Sequence, residues 1–481
     1  MIRKTTLILI GIVFFGFLLR AYRITSLPMY GDELTMVYDT YSILKTGMDA
    51  TGERMPLTFR MGAGRPGGYI YASIPFVSIF GPTELGIRSL SVLSGLGIIV
   101  LMFFLAKKLF DNEKIGLIAS FLTSISMWDI YLSRGGFEAH FALLLALLGV
   151  TAFIYSKYLI WAIAWGLTIF TYPTFKLTLP IIFPLLIWFW EHKFGEHKFG
   201  VHKTIVKNKL FVASLIVLTL FGVLVIRESL KGRSEERFLS SNIFSDSGMK
   251  EQLIQKINDE RNLSSLPKFI KPVFYNRPYE YFRIVSENYI DNLSPGFLFL
   301  RGDGNPRHNS GEWGMLYFIE FPILLVGIYK LWIEKKKDII FLGGWILITP
   351  LATMLMGEPH ALRSDFMLPP ILLITSYTLS KFTRKQFYFI FGLMFLQLIL
   401  ILNAIYFLSP NKFASFWSAD AKTESLKAIN SSKKDKKVTL STKIDNIEYA
   451  YEVYAKIDPN LVISQYGKFP KVFGSVLIVD K

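Results

Sequence analysis

The apolar stretch Thr5-Thr-Leu-Ile-Leu-Ile-Gly-Ile-Val-Phe-Phe-Gly-Phe-Leu-Leu19 leads shortly into Leu27-Pro-Met-Tyr-Gly-Asp-Glu-Leu-Thr35. The first run approaches the roughly 20 apolar residues that cross a bilayer as a helix. No small-residue cleavage site follows it, so it reads as an uncleaved first span, although Arg20 and Arg23 at its outer end run against the usual charge rule. Two adjacent carboxylates, Asp32 and Glu33, then stand at the outer mouth of that span. Ionisable groups at such depths are costly and are usually functional.

Working outward, the chain has 481 residues, of which 52% are hydrophobic and 15% aromatic, more apolar surface than a soluble globule hides. The absence of cysteine excludes disulfides, thiolate catalysis and cysteine–metal sites. The net charge of +16 comes largely from lysines in short loops between apolar runs, among them Lys107-Lys108, Lys193 to Lys209, Lys335 to Lys337 and Lys381 to Lys385. That distribution marks cytoplasmic loops rather than a nucleic-acid surface.

Fixing those loops inside gives candidate spans at about 5–22, 85–106, 115–131, 139–156, 158–172, 177–190, 210–227, 314–333, 339–356, 365–380 and 386–408, roughly eleven in all. The expected fold is a polytopic α-helical membrane protein. Tyr69 to Phe80, short and with Pro75 inside, reads as an interfacial helix in the first outer loop, 23–84, and Met36 to Lys45 as a second. A further large outer loop is expected at 228–313. Residues 1–409 form the membrane domain in this reading. Residues 410–481 turn polar and suggest a small extracytoplasmic α/β domain: a strand at Lys437–Ser441, a helix at Asn446–Lys456 and an apolar strand at Val472–Val479.

With this threading, four polar clusters fall on one side. Asp32 and Glu33 are suited to accept a proton from a hydroxyl. Arg65, in Gly64-Arg-Pro-Gly-Gly68, reads either as a snorkelling anchor or as a fork on a phosphate at headgroup level. Ser133-Arg-Gly-Gly-Phe-Glu-Ala-His140 turns sharply between two spans; its glycines explain the turn, but Arg134, Glu138 and His140, near Asp129, are unnecessary for turning. Gly302-Asp-Gly-Asn-Pro-Arg-His-Asn-Ser-Gly311 and Glu358-Pro-His-Ala-Leu-Arg363 contribute Asp303, Arg307, His308, His360 and Arg363 on the same grounds. The repeat Glu191-His-Lys-Phe-Gly, Glu196-His-Lys-Phe-Gly spaces its histidines by five, which does not share a helix face, and reads as a solvated basic loop.

The pattern resembles the GT-C glycosyltransferases, in particular the protein O-mannosyltransferase and lipid A aminoarabinose transferase branch. The resemblance runs through most of residues 1–410. Its marks are Leu19-Arg-Ala-Tyr-Arg-Ile leading to Gly31-Asp-Glu, Arg65-Pro before the interfacial run, Leu85-Gly-Ile-Arg-Ser-Leu-Ser-Val-Leu-Ser into Ala106-Lys-Lys-Leu-Phe, then Ser133-Arg and Leu362-Arg. It implies transfer of one sugar from a polyprenyl-phosphate donor to a lipid, glycan or protein acceptor on the extracytoplasmic face; the short loops and abundant lysine point to a prokaryotic plasma membrane. It also implies that Asp32 is the catalytic acid, with Glu33 beside it, and that Arg65 and Arg363 contact the donor. Relatives often have lysine and a second proline where this chain has Arg65 and Gly67.

The expected chemistry is a single inverting displacement. Asp32 deprotonates the acceptor hydroxyl, and arginines stabilise the departing phosphate, with Arg134 and His308 as further candidates. A phosphate leaving group needs no protonation, so no cofactor is required; a divalent ion between Asp32, Glu33 and Asp129 is a less favoured variant. The rivals are a flippase or transporter, which would place its polar groups near the midplane, a non-catalytic membrane scaffold, which would tolerate loss of Asp32, and an oligosaccharide ligase.

Overall fold

The computed structural model describes residues 4–194, 208–232, 242–245 and 247–480. Much of the histidine repeat over 191–203 therefore lies outside the described residues, as does part of the 228–313 loop. A helix lies in each of the eleven predicted segments: α1 (Lys4–Ala21), α4 (Glu84–Phe110), α5 (Glu113–Ile125) with α6 (Met127–Ser133), α7 (Glu138–Ile154), α8 (Tyr158–Ile169), α9 (Phe175–Phe194), α10 (Lys209–Leu230), and then helices at Glu320–Glu334, Lys336–Ile348, Leu368–Ser380 and Arg384–Asn403.

Five continuous stretches among the described residues are long and apolar enough to cross a bilayer alone: α1, α4, α10, Lys336–Met356 and Arg384–Lys412. The α5–α6 pair, bent by 56°, makes a sixth. The remaining expected spans are shorter or interrupted. α8 has 12 residues, about 18 Å at 1.5 Å per residue, and α9 carries Pro180 and Pro184 inside its length.

The long helices explain their own composition. In α1, Leu7, Ile10, Phe14 and Leu18 are exposed, and in α10 so are Ile216, Leu220, Val223 and Ile226. Apolar faces of that extent are not left to water by soluble proteins. Lipid covers them, and the protein is a multi-pass membrane protein. Behind them, α4 packs on α5 and α7, and α7 on α8, around a core that includes Trp128, Trp161 and Trp165. Arg20 does not face solvent against the charge rule. It is fully buried and pairs with Asp129 at 2.5 Å, giving its remaining donors to the carbonyls of Gly16, Thr123 and Ser124.

The outer segment after α1 positions the site. α2 spans Gly31–Thr46 and α3 Gly68–Phe80. Between them a short hairpin pairs β1 (Thr58–Phe59) antiparallel to β2 (Arg65–Pro66), which fixes Arg65. The expected helix over 36–45 thus starts earlier, at Gly31, and protein covers it. Leu34, Met36, Val37 and Tyr38 are buried in one cluster with Tyr69 and Ile70 of α3 and with Ile447, Ala450 and Tyr451 of the C-terminal segment.

That segment forms a three-stranded sheet in the order β3 (Val438–Ser441), β5 (Val476–Val479), β4 (Lys471–Phe473), with β3 parallel and β4 antiparallel to β5. The apolar run 472–479 is therefore two strands rather than one, broken at Gly474, whose φ of 62° admits the reversal. The C-terminal segment meets the first outer segment directly. Tyr38 Oη donates to the Ile457 carbonyl at 2.9 Å, and Tyr454 Oη and Lys422 Nζ both reach Glu84 at the start of α4, at 3.1 and 2.7 Å.

Candidate active site

Asp32 and Glu33 occupy the first turn of α2, where the helix dipole favours negative charge. Successive helix positions differ by about 100°, so the two carboxylates leave the backbone in different directions. Glu33 turns inward and is fully buried. Arg88 of α4 grips it with Nε at 2.7 Å and a terminal nitrogen at 2.6 Å, and the Gly136 N–H donates to it at 2.6 Å. Arg88 gives its other donors to the carbonyls of Ile24, Leu27 and Pro28, and its guanidinium lies 5.3 Å from the Trp417 ring. A buried ion pair with its hydrogen bonds filled holds the chain in one arrangement. Glu33 therefore ties the first outer segment to α4 and does not share a surface with Asp32.

Asp32 turns outward, its side chain 47% exposed. The buried Arg65 donates to its carboxylate. The same guanidinium donates to Thr35 Oγ1 at 2.9 Å and lies 3.7 Å from the Glu138 carboxylate. Three residues picked from the sequence, Asp32, Arg65 and Glu138, thus meet although they come from three separate segments. The hairpin turns Arg65 toward the carboxylate, so its fork orients Asp32.

Tyr30, two positions before Asp32, is buried close enough to this cluster to feel its charges. Its ring contacts Phe137 and Trp417, with centroids at 5.8 and 5.4 Å, and Arg307 lies over it at 4.8 Å. Burial, together with the nearby carboxylates, pushes the Tyr30 phenol well above its ordinary range. Arg307 also donates to the Phe416 carbonyl at 2.7 Å. Beside it, His308 Nδ1 lies 2.9 Å from Asp303 Oδ2, and the His308 ring meets Phe137 edge-on at 5.3 Å. Asp303 Oδ2 also accepts the Ala361 N–H at 2.7 Å, and His360 Nδ1 lies 3.9 Å away. Burial works against the Asp303 carboxylate, but hydrogen bonding to His308 and the other neighbouring donors outweigh it and bring its pKa down to about 2. Arg363, on the short helix after His360, is partly buried and donates to the Met356 carbonyl at 3.0 Å.

Besides Glu33, two predicted residues lie apart from this cluster. Arg134 donates to the carbonyls of Arg20, Tyr22 and Arg23 at 2.9, 2.6 and 3.2 Å and covers the Tyr406 ring at 4.7 Å. It closes the open end of α1, and its fork is filled with backbone oxygen. His140, fully buried, lies 3.0 Å from Ser133 Oγ and 3.8 Å from Asp129 Oδ2, inside the Arg20 network. Residues missed from the sequence as site components are Thr35, Tyr30 and Arg88. Arg88 left a signal, a charge one turn into an otherwise apolar span. A cavity of about 670 Å³ among Lys256, Phe274, Tyr275 and Arg283 includes none of the predicted residues.

No family model and no curated protein matches the sequence. Solved structures do match the fold. ArnT from Cupriavidus metallidurans bound to undecaprenyl phosphate is 9% identical, with 99% of this chain and 89% of that chain covered at a TM-score of 0.56. The apo form of the same protein gives 10% identity, 94% and 84% coverage and a TM-score of 0.51. The archaeal oligosaccharyltransferase AglB from Archaeoglobus fulgidus, in complex with an inhibitory peptide and a dolichol-phosphate, gives 12% identity and a TM-score of 0.50 over 93% of this chain and 63% of that chain. Both are GT-C enzymes, and at these identities the likeness is one of fold. The chain has the fold of the GT-C glycosyltransferases.

Proposed function

We propose that the protein transfers a single sugar from a polyprenyl-phosphate donor to an acceptor hydroxyl at the extracytoplasmic face of a plasma membrane. The observation that carries the reading is Asp32, a half-exposed carboxylate held by a buried arginine at the end of a helix, in a fold whose solved members bind polyprenyl phosphates. Asp32 takes the proton of the acceptor hydroxyl as its oxygen attacks the anomeric carbon. The bond from that carbon to the phosphate oxygen breaks on the opposite face, which inverts the configuration. Arg65 keeps Asp32 aligned rather than holding the phosphate. Arg307 and Arg363, both partly exposed, are the cations assigned to the departing phosphate. The step needs one base and no metal. The C-terminal segment, packed against α2 beside Asp32, is assigned the choice of acceptor.

A second reading, transfer of a whole oligosaccharide, is favoured by the likeness to AglB. The test supplies purified protein with monosaccharide donors on polyprenyl phosphate and with an oligosaccharide donor on polyprenyl pyrophosphate, then measures the freed lipid and the product's anomeric configuration. Release of polyprenyl phosphate with an inverted product supports the first reading. Consumption of the oligosaccharide donor alone replaces it with the second.

A further inference from the structure

We propose that Asp303, His308 and His360 form a binding site for one divalent transition-metal ion of the zinc class, which pins the 303–308 loop to the segment opening at His360. One ligand atom from each residue lies within 4.8 Å of the other two. The ligands come from two stretches far apart in sequence, so their convergence is a product of the fold and not of one loop's turn geometry. Two of the six histidines in the whole chain meet at a single carboxylate oxygen. Their rings lie 4.7 Å apart, inclined at 56°.

The donor set selects the ion. Two imidazoles and one carboxylate suit zinc and its neighbours, whereas magnesium and calcium take oxygen ligands almost throughout. Zinc–nitrogen and zinc–oxygen bonds are about 2.0–2.2 Å, which puts tetrahedral ligands roughly 3.3 Å apart. His308 and Asp303 already stand at 2.9 Å. His360, whose side chain is 23% exposed, closes the remainder by rotating inward, and water completes the shell. The carboxylate is steadied from outside as metal ligands usually are: the Asn305 and Ala361 N–H groups donate to its two oxygens, each at 2.7 Å. A bare Asp303–His308 hydrogen bond would not require the second histidine.

The consequence reaches the candidate active site by contact. Arg307, next to His308, covers Tyr30, so the metal would steady Tyr30, two residues before Asp32, without touching the reacting atoms. The proposal stands apart from the assigned transfer reaction and survives if that assignment fails.

The test uses the full chain purified without a polyhistidine tag, stripped with a chelator and titrated with Co²⁺. The expected result is one equivalent bound, with the visible absorption of a tetrahedral site, and its displacement by Zn²⁺. His308→Gln, His360→Gln and Asp303→Asn should each weaken binding beyond the roughly 10–100-fold cost of an outer-sphere change. His192→Gln, at an exposed helix end, should bind as the native chain does. Thermal unfolding of each variant without metal shows whether it is folded. No tetrahedral Co²⁺ spectrum in the native chain, or equal affinity in all three folded ligand variants, overturns the proposal.

Discussion

Arg65, with no solvent exposure, donates to the carboxylate of Asp32, whose side chain is 47% exposed. A fixed partner thereby orients the carboxylate proposed as the base. The β1–β2 hairpin, Thr35 and Glu138 fix the guanidinium in turn. Arg65→Lys keeps the charge and loses the fork. It should lower kcat by about 10- to 100-fold, the order expected for a misplaced catalytic group, with little change in donor KM. A rise in donor KM at unchanged kcat would return Arg65 to the phosphate.

Glu33 belongs to the scaffold. Glu33→Gln leaves Arg88 buried without its counter-charge, which should cost about 3–5 kcal/mol of stability. Thermal unfolding in detergent checks this, with Asp32→Asn as the comparison that should unfold near the native temperature. Equal destabilisation by the two would show that the carboxylates share one task.

The C-terminal segment presses on the start of α2 at one atom-scale contact. A Cβ at Gly31 would lie 2.6 Å from Asn446 Oδ1 and 3.0 Å from its Cγ. The Asn446 amide must turn away to admit it, so Gly31→Ala should cost about 1 kcal/mol, the low end of overpacking, and loosen the segment, read as faster proteolysis after residue 410. Asn446 adopts φ 61°, which glycine accepts. Adding Asn446→Gly to Gly31→Ala should restore much of the loss, and no rescue would place the strain elsewhere.

Asp39, inside α2, accepts the Ala50 N–H at 3.0 Å and is fully buried. Burial pushes its carboxyl up to about 8, against about 4 in an unfolded chain. Between those values the folded protein holds a proton that the unfolded chain has lost. Stability should therefore fall as pH rises from about 4 toward 8 and level off above. Asp39→Asn should flatten that slope in thermal unfolding measured across the range, while an unchanged slope would assign it to other groups.

The lipid-facing helices were legible because water excludes an apolar run of that length and a bilayer accepts it, and a helix lies in every predicted segment. Asp32 was legible from its place at the mouth of a span, Arg65 from its place at headgroup level, and Glu138 because turning the chain does not need its charge. What escaped the sequence was direction. Adjacent carboxylates look alike until Arg88 is seen to claim Glu33. Arg134 looks like an anion-binding fork until the α1 carbonyls fill it. The docking of the C-terminal segment on α2 rests on contacts such as Tyr38 to Ile457, hundreds of residues apart, which no local pattern encodes.

The most direct measurement compares native protein with Asp32→Asn, both given a radiolabelled polyprenyl-phosphate sugar and assayed for transfer and for donor binding. The expected result is transfer reduced by about 100- to 10,000-fold, the span a general base contributes, with donor binding kept. Equal transfer by the two proteins would contradict the assignment of Asp32 as the base.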